Sequence, residues 1–260
     1  MRPRALRTIG SAIGSTFPSA SPPAFALAFA LAITLACGPV AAAPAGTPDD
    51  AASPARIPWI WDRGRLPSPV PPEIAPVVRQ VWLHGDAMEV RPGAHEGAPP
   101  PGVRVTPVVH VELSWSHPPV DPARHAAALR ELVLRAAAAS TSGRVQLDLE
   151  ARPSQREFQR ALVHDVHEAL QGRVVLSVTA LAWWCRAPGW LDGLEAEEVV
   201  PMFFRMGRDG PAIRHLLETS PQVLHPRCRS GAAGFSPREP LPDAVVARYA
   251  RTYWFDRHPR

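Results

Sequence analysis

One apolar run of the sequence carries polar side chains at every second position. The run VQLDLE, residues 145–150, places Gln146, Asp148 and Glu150 on one face of a strand, because side chains alternate along β-structure. Its other face is apolar throughout. A buried carboxylic acid beside other acids has a raised pKa, which a general acid needs at neutral pH. The pattern therefore predicts either an acid–base site or a polar layer whose carboxylates are satisfied by arginines and water.

The preceding apolar run, residues 107–113, repeats this arrangement with His110 and Glu112 on one face. If the two runs form neighbouring strands, the ionisable side chains of both would point toward the inside of the same sheet or barrel. Glu112 and Glu150 could then act as a two-carboxylate pair, and the separation of their carboxyl groups would decide between retention and inversion of a sugar centre.

These two runs belong to a series of eight apolar, β-branched or aromatic segments, with helical patterns between most of them. The clearest helical patterns cover residues 122–139 and 155–170, where apolar residues share one stripe. Strands that alternate with helices imply a parallel sheet, and eight units within about 200 residues fit a small barrel. We predict an α/β fold, a compact (β/α)8 TIM-like barrel over residues 58–260, in preference to a doubly wound open sheet. The predicted strands are 59–61, 80–84, 107–113, 145–150, 174–182, 199–204, 232–235 and 252–255.

The remaining segments give weaker patterns. Proline or aspartate near a first turn predicts short helices over 72–79, 211–218 and 241–250. The Gly/Pro-rich stretch 88–102 predicts a mobile loop or an irregular hairpin. Because active sites of such barrels lie where the strands end, we expect the polar faces described above to line the barrel mouth.

All eight tryptophans lie in predicted strands or just after them. Aromatic rings at a barrel mouth are suited to holding sugars, and packing in the core is the alternative. We expect Trp59 and Trp61 to pack in the core, and the loop residues Trp183, Trp184 and Trp190 to form a cleft wall. The predicted substrate contacts are Gln146, His110, Glu112, Arg205, Trp183, Trp184 and Trp254.

The first 45 residues have the features of a secretory signal peptide. Three arginines precede an apolar run over residues 24–36, and small residues follow it. Cys37, within the letters LACG, also resembles a lipobox, so lipidation there is the alternative and the expected route to a membrane. We predict an exported protein, periplasmic or secreted, with residues 46–57 as a linker. Removing the leader would lower the formal net charge from +4 to +1, so a nucleic-acid partner is not expected.

Export leaves Cys185 and Cys228 as an even pair in an oxidising compartment. The pair predicts one disulfide, with two buried free thiols as the alternative. The sequence contains no lysine, which excludes Schiff-base and Walker-type lysine chemistry, and it has no nucleotide-binding glycine motif. His164 and His167 have helical spacing but belong to a polar helix face. No metal and no cofactor are therefore predicted.

Four segments together resemble a bacterial family catalogued as domain of unknown function 3142. The resemblance spans most of the chain after the leader and implies a glycosidase-like barrel without an established activity. Asp148-x-Glu150 is also similar to the end of the D-x-x-D-x-D-x-E motif of chitinase-like family-18 glycoside hydrolases. That similarity implies Asp148 as the carboxylate that orients a substrate acetamido group and Glu150 as the general acid. The four segments are VQLDLE (145–150), VLSVTALAWWC (175–185), EVVPMFFRMG (198–207) and TYWFD (252–256).

The chain departs from the chitinase-like pattern at four positions. Gly143 and Gln146 stand where that motif has its first two aspartates, and Phe204 and Arg205 replace a tyrosine and an aspartate of the sixth strand. Arg205 could pair with the strand-end carboxylates and quench the acid, or bind an anionic sugar such as a uronate. The sequence thus predicts recognition of glycan, either by a glycosidase or by a catalytically silent barrel that binds a saccharide or a protein, and it leaves the oligomeric state open.

Overall fold

The computed structural model describes most of the chain after its first 54 residues. The described residues are 55–61, 66, 68–93 and 99–256, and all lie within one compact unit, Pro48–Arg260. The predicted signal peptide with Cys37, and most of the predicted linker, lie outside them. The first strand begins at Ala55, so the last three residues of the predicted linker belong to the barrel.

Eight parallel strands close into a barrel, which confirms the predicted fold. In the described part of the chain the strands are β1 (Ala55–Ile60), β2 (Glu73–His84), β3 (Ala87–Pro92), β4 (Arg104–Val105), β5 (Val108–Leu113), β6 (Arg144–Leu149), β7 (Val175–Leu181), β8 (Glu198–Met202), β9 (Gly231–Phe235) and β10 (Tyr249–Phe255). Around the barrel the order is β1, β10, β9, β8, β7, β6, β5 and β2. The barrel closes between β1 and β2, where Trp59 lies opposite Ala75.

The first half of β2 corrects one prediction, because the segment 72–79 is a strand and not a helix. Ile74, Val77 and Val78 have the spacing of a helical stripe, but β-branched residues favour strands. This half of the segment is almost entirely buried, because β2 pairs with β1 and β5. Strand β3 extends β2 as an antiparallel hairpin, so the described start of the stretch 88–102 is a regular hairpin strand.

Among the described residues, four α-helices connect the later strands. The helices α1 and α2 follow the predicted boundaries closely, and α3 covers the predicted helix 211–218. The predicted helix over 241–250 is reduced to α4, because the chain enters β10 at Tyr249. Between β7 and β8 the chain forms a 3-10 turn over residues 182–185. The helices are α1 (Pro122–Ala138), α2 (Arg156–Leu170), α3 (Gly210–Thr219) and α4 (Asp243–Val246).

The barrel wall separates two apolar clusters. Inside it, side chains such as Val77, Val200 and Tyr253 are buried against one another. Outside it, α1 and α2 contribute Leu129 and Leu162, which are fully buried against the strands. This alternation leaves the inward positions near the strand ends free to carry polar groups at the mouth.

The opposite, amino-terminal end of the barrel carries an ionic network. Glu73 on β2 accepts hydrogen bonds from the Arg251 guanidinium, the shorter at 2.5 Å. Glu198 on β8 lies 3.3 Å from Arg251 and 3.3 Å from Arg144. The hydroxyl of Tyr253 donates to Glu198 at 2.8 Å. Paired in this way, the charges compensate one another at this end of the barrel.

The predicted disulfide joins Cys185, just after β7, to Cys228, just before β9, with a Cα–Cα separation of 5.9 Å. Both cysteines are buried. A disulfide is typical of an oxidising or extracellular compartment. No helix in the described part of the chain has the length and apolarity needed to cross a membrane.

Candidate functional site

A cavity of about 370 Å³ opens at the mouth of the barrel, where the strands end. Charged and aromatic side chains line it together. Its ionisable residues are His110, Glu112, Asp148, Glu150 and Arg205, and the sequence predicted each of them as a site residue. They meet because β5, β6 and β8 turn alternate side chains into the barrel and end at the same level.

Asp148 is buried and firmly held. Its backbone lies opposite that of His110 in the parallel pairing of β5 and β6. The Oδ2 atom lies 2.7 Å from His110 Nδ1, and Oδ1 accepts a 2.7 Å hydrogen bond from the Thr179 hydroxyl on β7. Three adjacent strands therefore fix the position of this carboxylate.

The imidazole of His110 lies between two carboxylates, Asp148 and Glu112, and contacts both. Its Nε2 lies 3.1 Å from Glu112 Oε1, and Glu112 also accepts a 3.0 Å hydrogen bond from the Trp82 indole. Burial lowers the pKa of His110, but Asp148 and Glu112 outweigh burial and raise that pKa to about 10. The hydrogen bond from His110 in turn lowers the pKa of Glu112. At neutral pH the imidazole is charged and both ring nitrogens donate.

Glu150 differs from the other two carboxylates. Its side chain is exposed at the mouth, and no hydrogen bond or ion pair to its carboxyl group is found among the described residues. The cavity walls remove part of the surrounding water, and this burial raises the pKa of Glu150. The nearby charge of Asp148 raises that pKa further, against the opposing influence of His110. Glu150 is thus the carboxyl group best suited to hold a proton.

Arg205 adopts an unusual backbone conformation at the end of β8. Its φ angle is 51°, in the left-handed region that residues with a side chain rarely occupy. The Glu239 carboxylate holds it there by accepting the Arg205 backbone N–H at 3.0 and 3.1 Å. The guanidinium lies 4.9 Å from the centre of the Phe255 ring. Within the described residues it forms no ion pair with Asp148 or Glu150, so the cavity is open.

Aromatic rings build the remaining wall. Phe204 and Phe255 stack with their ring centres 5.0 Å apart, and the Trp61 ring lies edge-on to His110 at 4.6 Å. Trp115, in the loop after β5, lines the cavity and exposes 75% of its surface, with the Arg152 guanidinium 3.3 Å above its ring. Sequence reasoning had not assigned these rings to the site.

The tryptophans predicted to form a cleft wall do not line the cavity. Trp184 is fully buried and stacks on Trp190 with a centre separation of 5.1 Å, and Trp183 packs against both rings. Both cysteines of the adjacent disulfide belong to the same buried cluster outside the barrel wall. Trp254 is turned away from the cavity and packs on Phe235. In the structure these tryptophans therefore lie outside the lining of the cavity.

Gln146 does not line the cavity either, although the sequence predicted it as a substrate contact. It is fully buried, one inward position before Asp148 on β6. Its Oε1 accepts a 2.5 Å hydrogen bond from the Trp59 indole, and its Nε2 donates to Ser177 at 3.1 Å. Gln146 therefore supports Trp59, whose ring lies in the barrel interior and also lines the cavity.

The two histidines of α2 lie on the outer surface, away from the cavity. His164 contacts Glu195 at 2.9 Å and His167 contacts Glu197 at 3.2 Å. Potential ligand atoms of His167, Glu168 and Glu195 lie within 4.8 Å of one another. All of these side chains are partly or fully exposed, as expected for a solvated helix face.

Comparisons with known proteins find no relative for this chain. No protein-family model matches it. No curated protein matches it, and no solved structure does. The chemistry of the site must therefore be argued from its own residues.

Proposed function

We propose that this protein is an exported glycoside-hydrolase-like enzyme that acts on glycan, with Glu150 as the general acid and Asp148 as the orienting carboxylate. The observation that carries the proposal is the state of Glu150. Its carboxyl group lies on the wall of an open cavity and has no partner among the described residues, while burial and Asp148 raise its pKa. That is the state in which a carboxylic acid can protonate a leaving oxygen.

The neighbouring charges support this division of roles. His110 contacts both Asp148 and Glu112, and its hydrogen bond lowers the pKa of Glu112, which favours the ionised form of that carboxylate. Ionised groups can stabilise a developing oxocarbenium ion or accept a proton, whereas the acid must be a different group. Glu150 remains as the proton donor.

Glu112 is the partner that fits Glu150 best. The register of β5 and β6 pairs Val111 with Leu149, so the next residue of each strand brings the two glutamates side by side at the mouth. The acetamido-assisted route of chitinase-like enzymes uses a tyrosine and an aspartate, and here Phe204 and Arg205 occupy those positions. A two-carboxylate mechanism needs neither of them.

The cavity walls also suit a saccharide. Its volume falls within the range of small-molecule sites. Phe204, Phe255, Trp61 and Trp115 offer apolar ring surfaces close to hydrogen-bonding carboxylates, a combination that matches the apolar faces and hydroxyl edges of a sugar ring.

A catalytically silent barrel that binds a saccharide or a protein is the second candidate. Its strongest support would be an ion pair between Arg205 and Glu150, because such a pair would quench the acid. Within the described residues these side chains line the same cavity unpaired, which favours the enzyme.

The disulfide between Cys185 and Cys228 supports the proposed export. We place the protein in the periplasm or outside the cell, with lipid attachment at Cys37 as the form that would bind it to a membrane. We also propose that the chain belongs to domain-of-unknown-function family 3142 and that its barrel is glycosidase-like.

The deciding experiment measures release of reducing ends from neutral, cationic and anionic glycans by the wild type and by Glu150→Gln. We expect turnover by the wild type and a loss of about 100-fold or more in the variant. Glu157→Gln, at an exposed position of α2, serves as the control and should behave as the wild type. If a glycan is retained in a pull-down but never cleaved, the proposal of an enzyme is wrong and the catalytically silent barrel is favoured.

A further inference from the structure

Arg205 combines three features that its place at the end of β8 does not require. Its backbone is in the left-handed region, its guanidinium lines the cavity, and the described residues provide it with no carboxylate at ion-pair distance. Inside the same barrel, Arg251 and Arg144 are each paired with glutamates. A non-glycine residue held in this conformation at a site is a pointer to function.

The local structure fixes Arg205 in this position. Both oxygens of Glu239 accept its backbone N–H, and Glu239 is in turn held by Arg214 at 3.4 Å. The side chain then extends over Phe255, whose ring supports the guanidinium from one side. The planar fork of an arginine presents several N–H donors and matches a carboxylate or sulfate with two parallel hydrogen bonds.

The pairing of charges in the cavity leaves Arg205 as the group that an anionic ligand could bind. Counted formally, His110 and Arg205 together balance Asp148 and Glu112 once Glu150 holds a proton, and His110 already contacts both of those carboxylates. Among the described residues, Arg205 is therefore the cation of the cavity whose donors are left for a ligand. A neutral sugar that filled the cavity would desolvate the guanidinium without pairing it, which costs free energy.

From this arrangement we infer that the saccharide is anionic and that its carboxylate or sulfate group binds the Arg205 guanidinium. The inference rests on the proposed function and names its substrate class. Anion binding would also explain why an arginine lies near the proposed general acid, Glu150. An arginine near Glu150 lowers the pKa of that acid, and a bound anion that neutralises Arg205 removes this effect, so substrate binding would favour the protonated acid.

The test uses pairs of glycans that differ only in charge. Oligogalacturonate, oligoglucuronate and a sulfated galactan oligomer are each compared with the carboxyl-reduced or desulfated counterpart. Binding is measured by calorimetry with Glu150→Gln, to prevent turnover, and cleavage is measured with the wild type. We expect an anionic member to bind about tenfold to a hundredfold more tightly than its neutral partner, and the preference to weaken with added salt. The carboxylated and sulfated pairs distinguish the two acid groups.

Three variants assign the preference to the side chain. Arg205→Gln should remove the preference, because it weakens binding of the anionic member and ends the desolvation cost that the guanidinium imposes on the neutral partner. Arg205→Lys should keep part of the preference, since an ammonium group lacks the fork. Arg208→Gln, at a neighbouring exposed position, should change nothing. Gln171 already occupies the left-handed region in this protein, so glutamine is compatible with the backbone at 205.

The outcomes separate the two proposals. Equal binding and turnover of neutral and anionic partners, unchanged in Arg205→Gln, would overturn this inference and leave the glycosidase intact. Binding and cleavage of neutral glycans alone would also overturn this inference and leave the glycosidase proposal intact. If no glycan of any charge is bound or cleaved, the proposed function fails and this inference fails with it.

Discussion

The imidazole Nδ1 of His110 lies 2.7 Å from Oδ2 of Asp148, on the next strand of the barrel, and both side chains are buried. Burying one charge there without the other would be costly, because the interior cannot solvate it. The same histidine also contacts Glu112. The site is therefore built around one cation shared by two carboxylates, and its stability and its chemistry depend on the same atoms.

Breaking this buried pair should destabilise the fold. We expect Asp148→Asn to lower the free energy of unfolding by about 3 kcal/mol, because the charged imidazole loses its closest partner. The measurement is urea unfolding of the wild type, Asp148→Asn, His110→Gln and the double variant. The double variant should cost less than the sum of the single changes. Strict additivity would show that the two side chains do not interact.

The contribution of His110 to stability should depend on pH. Its pKa is about 10 in the folded protein and about 6.5 when unperturbed, so folding favours the protonated form. The stabilisation is fully present below about pH 6.5 and is lost as the pH rises toward 10. Comparing unfolding free energies of the wild type and His110→Gln at several pH values tests this. We expect the difference to narrow steadily through that interval, and a constant difference would contradict the pairing.

Activity should fall on the alkaline side as Glu150 loses its proton. Burial and Asp148 raise the pKa of Glu150, whereas Arg205 lowers it. Removing the positive charge in Arg205→Gln should therefore move the alkaline limb of the kcat/KM profile to higher pH. Each profile is normalised to its own maximum, with Arg208→Gln as the control. An unmoved limb would show that another group sets it.

Replacing both cysteines should weaken the fold without altering the cavity. The disulfide between Cys185 and Cys228 closes a loop with a sequence separation of 43 residues, which corresponds to about 4 kcal/mol in the chain-entropy account. Neither cysteine lines the cavity. We expect the double serine variant to show a lower thermal midpoint but unchanged glycan binding at temperatures where it stays folded. A selective loss of binding would show that the loop contributes to the site.

The strands could be predicted from the sequence because each is an apolar run, and alternation within the run tells which side chains point inward. That argument placed Asp148 and Glu150 at the mouth together with His110. It failed for the first half of β2, where apolar residues at 74, 77 and 78 imitate a helical stripe. In so short an apolar run the sequence pattern does not distinguish a strand from a helix. Here the pairing of β2 with the neighbouring strands determines that the segment is a strand.

The aromatic wall was harder to predict than the charges. Trp184 and Trp190 lie in a loop, where no periodicity gives a direction, and packing beside a disulfide buried them. Trp61 and Phe255 follow the inward alternation of β1 and β10, a signal that was present in the sequence. A rule that counts rings near strand ends, without asking which face they occupy, cannot separate the two groups.

Gly234 should be sensitive to a single added methyl group. It lies on β9 beneath the cavity, and a Cβ atom there would stand 3.0 Å from two atoms of the Trp59 ring and 3.3 Å from the Phe204 ring. Trp59 is held by its hydrogen bond to Gln146, so it cannot move freely. We expect Gly234→Ala to lower the free energy of unfolding by about 1–3 kcal/mol and to weaken glycan binding, because the displaced rings narrow the cavity.

A matched glycine separates this effect from the general effect of alanine. Gly210 begins α3, where a Cβ would meet only an ordinary 3.5 Å contact with Met206. Gly210→Ala should be neutral or stabilise the fold by up to about 1 kcal/mol through the unfolded chain, and it should leave binding unchanged. Both variants are compared by urea unfolding and by calorimetry with the same glycan. If Gly234→Ala binds the glycan with wild-type affinity, the positions of the Trp59 and Phe204 rings do not determine glycan binding.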